Sequence, residues 1–278
     1  MIYVFGLGPL GYTTMISLAA WGHQVIGIDP YPNPPSEPES LQSLLYDSEL
    51  CKRITILDDF SYAITAHDVL WVTLDMPVDK LGRSDSHMLL KQHVSPALSR
   101  CDSGALVMIS TQVPVGTARM IQRHWRNLRI VSAPENLSRG RYIRGFLDPA
   151  RIVLGSIDGE PYLQVTNLYD AEIQSRILWM SYESAEISKH AMNAYLALNI
   201  VFANDMAQYC EQRGANYEDV RRSMQFDERV GSHAYLKKGK ADGSHLLRDV
   251  RYLLQTGMHR MRNKSIIDQL VGHCSWEA

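Results

Sequence analysis

Three glycines near the start of the chain have a spacing that suits cofactor binding. Gly6, Gly8 and Gly11 follow the apolar run IYVF as G-x-G-x-x-G, and a helical pattern comes next. Leu10 lies inside this motif. Such glycines let the backbone approach a pyrophosphate at a helix N-terminus. Asp29 ends the next apolar run, where a carboxylate can accept hydrogen bonds from an adenosine ribose and repels a ribose phosphate. The motif predicts NAD as the cofactor, in preference to NADP.

The elements that must hold this motif alternate between strand and helix. Further apolar runs occur at residues 69–74, 105–110, 129–133 and 151–155, with helical spacing between most of them. This alternation predicts an α/β fold with a Rossmann-like doubly wound parallel sheet. We expect residues 1–158 to form an NAD-binding domain.

The pattern changes in the second part of the chain. Residues 183–213 contain no proline or glycine, and apolar residues recur there at helical spacing until Gly214. We predict one long helix within a mainly α-helical domain over residues 159–278. The apolar residues of this helix, Phe202 and Met206 among them, spread around much of its circumference, which favours a homodimer formed through it.

The composition excludes several classes of protein. The 28 Lys and Arg residues against 30 Asp and Glu leave a formal charge of −2, so nucleic acid and anionic lipid are not expected partners. No apolar run is long enough to span a membrane. The N-terminus lacks the cationic region of a secretory signal, so we expect a cytoplasmic protein. The cysteines are scattered without a C-x-x-C pair, which predicts neither a metal site nor disulfides: Cys51, Cys101, Cys210 and Cys274.

Several ordered strings in the chain resemble the UDP-glucose/GDP-mannose dehydrogenase family. They begin with EPESL at residues 37–41 and STQVPVGT at 110–117. APENLSRG follows at 133–140, with DPARIVLG at 148–155. The last two are ESAEISKHAMNAYLALNIVFANDMAQYCEQRG at 183–214 and DERVGSHAYLKKGKADGSHLLRD at 227–249. The similarity runs from the first residues to about Leu254.

The resemblance implies roles for five residues. It assigns Thr111 and Asp249 to holding a water near the reacting carbon, with Thr111 also at the cofactor. Glu135 would position the substrate and handle a proton, and Lys189 and Asn193 would stabilise oxygen anions. The last pair is spaced i and i+4, so both side chains leave one face of a helix. From the residues alone, a strand-end hydroxyl, a surface lysine and an acid at a helix start stay open for Thr111, Lys189 and Asp249.

The chain departs from the family where the family has its catalytic cysteine. His245 takes that place, ahead of Arg248 and Asp249. The cysteine carries an aldehyde to an acid through a thiohemiacetal and a thioester, and an imidazole does not readily replace it. As a general acid or base, a histidine suits proton removal from an alcohol.

Two further departures concern the substrate. The family continues into a C-terminal nucleotide-binding domain, whereas this chain ends about 30 residues after Asp249, so we expect that domain to be missing. The preceding loop carries Lys237, Lys238 and Lys240, which either meet a phosphate or are solvated.

These observations lead to one main hypothesis and two alternatives. The main hypothesis is an NAD-dependent oxidoreductase that acts on an alcohol of a sugar, sugar nucleotide or nucleoside-like substrate, in a single two-electron oxidation without a thioester. One alternative is an epimerase that retains NAD and oxidises its sugar transiently. The other is a non-catalytic relative with a binding role.

Overall fold

The computed structural model describes most of the chain, in two compact units. The described residues are 1–32, 48–79, 84–135, 137, 141–239 and 244–255, with only the backbone of Ser48, Glu49, Ser244, His245, Leu247 and Gln255. The first unit, here the sheet unit, comprises Met1–Pro77 and Asp85–Ile187. The second, here the helical unit, comprises Val78–Ser84 and Ser188–Ala278.

An eight-stranded sheet organises the sheet unit. Its strands are β1 (Ile2–Phe5), β2 (Val25–Ile28), β3 (Ile54–Leu57), β4 (Val69–Val72), β5 (Leu106–Ile109), β6 (Arg129–Ser132), β7 (Ile152–Ser156) and β8 (Ile177–Ser181). The spatial order is β3-β2-β1-β4-β5-β6-β7-β8, and all neighbours are parallel except β6 and β7. The predicted Rossmann-like sheet is confirmed. The order reverses between β1 and β4, the kind of place where such sheets bind ligands.

Helices cover both faces of this sheet. They are α1 (Pro9–Ala20), α2 (Ser48–Cys51), α3 (Ser86–Leu89), a π-helical stretch (Leu90–Val94), α4 (Ser95–Leu98), α5 (Thr117–His124), α6 (Tyr142–Leu147), α7 (Leu163–Thr166) and a 3₁₀ turn (Gln174–Arg176). One hydrophobic cluster joins the sheet to α1 and α6, and another joins it to the π-helical stretch, α4 and α5. Burial on both faces explains the uninterrupted apolar runs of the inner strands.

The sheet unit extends past the predicted domain boundary. β8 pairs in parallel with β7 from Ile152↔Ile177 to Ser156↔Ser181, so residues 159–187 belong by contacts to the sheet unit. The division at residue 158 rests on the change in sequence pattern after Gly159 and stays a prediction.

The helical unit contains the long helix that the sequence predicts. α8 (Tyr182–Gln212) has 31 residues, enters this unit at Ser188 and is followed by α9 (Tyr217–Phe226) and α10 (Ser244–Gln255). It ends as expected, because Gly214 has a φ of +68° and the Ala215 N–H donates to the Cys210 carbonyl (2.8 Å). α8 and α10 share a small apolar core that includes Ala197 and Val250. None of the helices in the described ranges is long and apolar enough to cross a membrane.

Candidate active site and cofactor site

Two of the three motif glycines are required by the fold itself. Gly6 has a φ of +96°, and a Cβ on it would lie 2.7 Å from the Leu74 Cα. A Cβ on Gly11 would lie only 1.8 Å from the Gly6 carbonyl oxygen, so α1 packs against the β1 turn without room for a side chain. These glycines shape the turn and seat the helix on the sheet.

Gly8 differs, since neither its backbone nor its surroundings within the fold demand a glycine. Its φ is −68°, and the nearest atom to a Cβ would be Oδ2 of Asp75, at the end of an exposed side chain (2.1 Å). Gly8 caps α1, which has no side-chain cap and no acid in its first turn. The N-terminal end of the helix offers its N–H groups to an anionic ligand, and the exposed Asp75 carboxylate lies beside Gly8 at this end.

Asp29 has a structural role in addition to the predicted binding of the ribose. Its Oδ2 accepts a hydrogen bond from the Leu7 N–H (2.7 Å), and its Oδ1 accepts one from the Tyr31 N–H (2.8 Å). The carboxylate thus ties the end of β2 to the glycine turn. A carboxylate has about four acceptor positions, so a ribose hydroxyl can still bind to it.

Thr111 follows β5 at the carboxyl edge of the sheet. The N–H groups of Ser110 and Thr111 both donate to the Val72 carbonyl (2.9 and 3.2 Å). The Ser110 hydroxyl accepts from Trp71 Nε1 (2.8 Å) and donates to the Ala133 carbonyl (2.6 Å). The Thr111 hydroxyl is buried and has no hydrogen-bond partner within the described residues. Such a group is costly unless a ligand or water meets it.

Glu135 follows β6 at the same edge of the sheet. It lines a cavity of about 220 Å³ in the sheet unit. The hydroxyl of Tyr169 is fully buried, and the pKa of Tyr169 is raised well above its ordinary value, first by burial and then by the charge of Glu135. Glu135 is therefore an acid beside a cavity, and its role in substrate positioning and proton transfer stays a prediction.

In the helical unit the structure brings Asn193 and Asp249 together. The Asn193 amide on α8 donates to Oδ2 of Asp249 on α10, and the two residues are 9% and 0% exposed. Lys189 lies one helical turn before Asn193 and is half-buried. All three residues are predicted from the sequence, but this buried pair is not.

Four further residues complete a polar cluster around Asp249. Arg248 Nε donates to Asp249 Oδ1 (3.0 Å), and Nδ1 of the buried His190 lies 3.8 Å from the same oxygen. The Tyr252 ring meets the His190 ring edge to face at 5.4 Å, and its hydroxyl bonds to the Ser84 hydroxyl (2.6 Å). Burial raises the pKa of Tyr252. The spacing of these residues is one sequence signal for the cluster. His190 and Asn193, like Asp249 and Tyr252, are i and i+3 on their helices.

The chain matches two domains of one known protein family. Residues 1–173 match the NAD binding domain of the UDP-glucose/GDP-mannose dehydrogenase family, and residues 183–272 match its central domain. The chain belongs to this family. NAD is the cofactor of its N-terminal domain.

Several proteins are similar to this chain over most of its length. UDP-glucose 6-dehydrogenase of Pseudomonas aeruginosa is 29% identical over 95% of this chain and 63% of its own length. The Rhizobium meliloti enzyme of the same name is 30% identical over 92% of this chain and 63% of its own length. A solved UDP-glucose dehydrogenase from Pyrobaculum islandicum superposes with a TM-score of 0.80 at 25% identity, covering 98% of this chain and 67% of that one. This family member thus spans about 63% of the length of these curated relatives.

The residues of this family member fit NAD. Gly8 adds no side chain at the start of α1, the Asp29 carboxylate retains acceptor capacity, and the Thr111 hydroxyl is buried without a partner in the described part of the chain. Leu10 lies in the first turn of α1 and is partly buried. The predicted cofactor residues therefore surround the turn between β1 and α1, except Thr111, which follows β5.

Several predicted residues lie outside what the structure describes. The His245 side chain is one, so its role stays a prediction, and Lys240 is another. Lys237 and Lys238 are exposed. Within the described ranges, no group of three or more His, Cys, Asp or Glu residues is placed to hold a metal ion.

Glu186 is a buried acid that sequence reasoning missed. It lies in the first part of α8, and its carboxylate accepts hydrogen bonds from the N–H groups of Gly116 (2.6 Å) and Ala118 (2.9 Å) at the start of α5. Burial raises its pKa to about 7, against the lowering effect of those two hydrogen bonds. Its neighbour Glu183 instead pairs with Arg119, which lowers the pKa of Glu183.

Proposed function

We propose that this family member oxidises an alcohol of a sugar, sugar nucleotide or nucleoside-like substrate in a single two-electron step. The observation that carries the proposal is the buried Asn193–Asp249 pair, one helical turn from Lys189. If Lys189 were only a surface lysine and Asp249 only an acid at a helix start, the buried pairing of Asn193 with Asp249 would not be needed. When bound, NAD accepts the hydride.

Lys189 and Asn193 are proposed to stabilise charge on the reacting oxygen. Both leave one face of α8, and an ammonium group and an amide N–H are suitable donors to an oxygen that becomes negative. The amide has two hydrogens, and one goes to Asp249. Asp249 therefore fixes the direction of the second, which is free to meet the substrate.

The remaining proposed roles concern water and a proton. Thr111 offers a buried hydroxyl at the carboxyl edge of the sheet, and Asp249 offers carboxylate oxygens within its polar cluster; each suits the holding of a water. Glu135, beside its cavity, is proposed to position the substrate and to exchange a proton with it.

The oxidation is proposed to stop at the carbonyl, because His245 stands where the family has its cysteine. The described cysteines offer no evident substitute. Burial raises the pKa of Cys101 to about 12, so it is not a thiolate at neutral pH, and Cys210 is buried in an apolar cluster. Cys51 is exposed in the sheet unit.

We also propose a homodimer through residues 183–213. Tyr195, Phe202 and Tyr209 follow one another at intervals of seven residues on α8 and are 57%, 41% and 54% exposed. This spacing puts three aromatic rings on one stripe of the helix. A second copy of the chain would cover that stripe. In this proposal residues 1–158 bind NAD, and residues 159–278 bind substrate and form the dimer.

The function is tested with the purified chain, NAD and a panel of alcohols. The panel holds UDP-glucose, glucose 1-phosphate and a nucleoside, and NADH fluorescence reports oxidation. We expect NADH with at least one compound and a carbonyl product by mass spectrometry. Isomerised product without NADH would replace the proposal with the epimerase, and no turnover despite NAD binding would favour the binding role.

A further inference from the structure

Three arginine residues line the cavity beside Glu135. The cavity is formed by α6 and the chain that leads into β7, and Arg141, Arg144 and Arg151 are among its lining residues. Arg141 caps α6, Arg144 lies on the helix and Arg151 directly precedes β7. All of them belong to the sheet unit.

The strand directions place this cavity at the ligand-binding edge of the sheet. β7 runs antiparallel to β6, with Ser132 opposite Gly155. The start of β7, with Arg151, therefore lies at the same edge as Glu135, which follows the end of β6. Open α/β sheets bind their ligands at the carboxyl ends of the parallel strands.

The helix that carries two of the arginines is firmly seated. Phe146 of α6 packs against the rings of Trp21 (5.6 Å) and Trp71 (6.1 Å), and it is 4% exposed. A site on such an element keeps its geometry better than one on a free loop.

The charges of the cavity are unbalanced. Glu135 and Asp148 are its acids, but Asp148 is paired with Arg176, which also donates to the Pro149 carbonyl (2.7 Å). Arg176 lowers the pKa of Asp148, with a smaller contribution from Arg144. Nowhere in the described residues do the side chains of the three lining arginines form a hydrogen bond or an ion pair. Three arginines therefore line the cavity, with Glu135 as the acid that remains beside the Asp148–Arg176 pair.

We propose that this cavity is a second oxyanion site, sharing no residue with the glycine turn, for a phosphate or carboxylate group carried by the substrate. Guanidinium groups bind both anions through paired N–H donors, and three of them suit a group with several oxygens. The assignment to the substrate rests on the proposed function, whereas anion binding by the arginines does not.

The test is a calorimetric titration of the full chain with inorganic phosphate at constant ionic strength. We expect one saturable site, and Arg144→Gln or Arg151→Gln should weaken it about tenfold or more. Arg126→Gln, at an exposed arginine of the same unit, is the matched control and should leave it unchanged. NAD affinity should be the same in all variants, which also shows that they fold.

Further titrations separate the sources of the anion. Glucose 1-phosphate should bind more tightly than inorganic phosphate, and saturating NAD should not displace either. Equal affinities would contradict a substrate-borne group, and displacement by NAD would move the site to the glycine turn. Absence of saturable binding, or equal loss in the Arg126 control, would overturn the proposal. Failure of the proposed function alone would instead abolish NADH formation and leave phosphate binding intact.

Discussion

The Asn193 amide on α8 donates to the Asp249 carboxylate on α10, within the interior of the helical unit. Arg248 binds the other oxygen of the same carboxylate. One acid thus orients an amide of the proposed site and compensates a buried guanidinium, so its loss should affect both chemistry and stability.

Replacing Asp249 should destabilise the fold measurably. Asp249→Ala leaves Arg248, which is 6% exposed, without its carboxylate, and breaking a buried ion pair in this way costs about 3 kcal/mol or more. Urea unfolding measures the change. Asp227→Ala, which breaks an exposed pair with Arg229 in the same unit, should lower the free energy of unfolding much less. Equal losses of unfolding free energy in the two variants would show that the buried pair stabilises the fold no more than the exposed pair.

Glu186 should make stability depend on pH. Its pKa in the folded chain is raised by burial to about 7, above the ordinary 4.5, so between these values the folded state holds the proton that the unfolded state has lost. The free energy of unfolding should therefore fall as pH rises through this window, by up to about 3 kcal/mol, and stay level above it.

Urea unfolding at about pH 5 and about pH 8 checks this dependence. Glu186→Gln should remove it. Glu183→Gln is the control, because the pKa of Glu183 is lowered by Arg119 and its stabilisation is present above the unfolded pKa and lost only as pH falls below it. An unchanged pH profile in Glu186→Gln would contradict the role of burial.

Substitutions at two glycines of the turn should separate effects on folding from effects on cofactor binding. Gly11→Ala places a Cβ against the Gly6 carbonyl and should lower the thermal midpoint strongly. The atoms nearest to a Cβ at residue 8 belong to the Asp75 side chain, so Gly8→Val should fold, yet lose NAD binding because the new side chain blocks the pyrophosphate. Calorimetry with NAD tests the second variant. Retained affinity in folded Gly8→Val would refute this account, and tighter binding of NADP than NAD would refute the role of Asp29.

The aromatic stripe should hold two chains together. Phe202→Glu introduces a charge into the proposed interface and should convert a dimer into a monomer of 31.5 kDa in light scattering at micromolar concentration. Arg222→Glu, on the exposed side of α9, should leave the mass of the wild-type chain unchanged. A monomeric wild-type chain would contradict the dimer.

The inner part of the fold could be predicted from the sequence, and its edges could not. The inner strands β4 and β5 are buried throughout and read as continuous apolar runs. β3 and β8 lie at the two edges of the sheet, where Ile56 and Leu178 are 41% and 47% exposed, so their patterns are weak. Neither strand is predicted from the sequence, and through β8 the sheet unit extends to Ile187.

The residues of the site could be predicted from the sequence better than the contacts between them. Lys189 and Asn193 share a helix, so their spacing alone places them on one face. The contacts of Asp249 with Asn193 and His190 join residues on two helices, and nothing local in one sequence encodes which faces meet. The Glu186 carboxylate at the start of α5 is hidden for the same reason.

The NADH yield per substrate oxidised measures most directly how many hydrides the enzyme transfers. We predict one NADH and a carbonyl product, because His245 cannot form the acyl intermediate that a thiolate forms. His245→Ala should lower the rate by about two to four orders of magnitude at unchanged NAD affinity. Two NADH per substrate, with a carboxylic acid as product of the unmodified chain, would contradict the account.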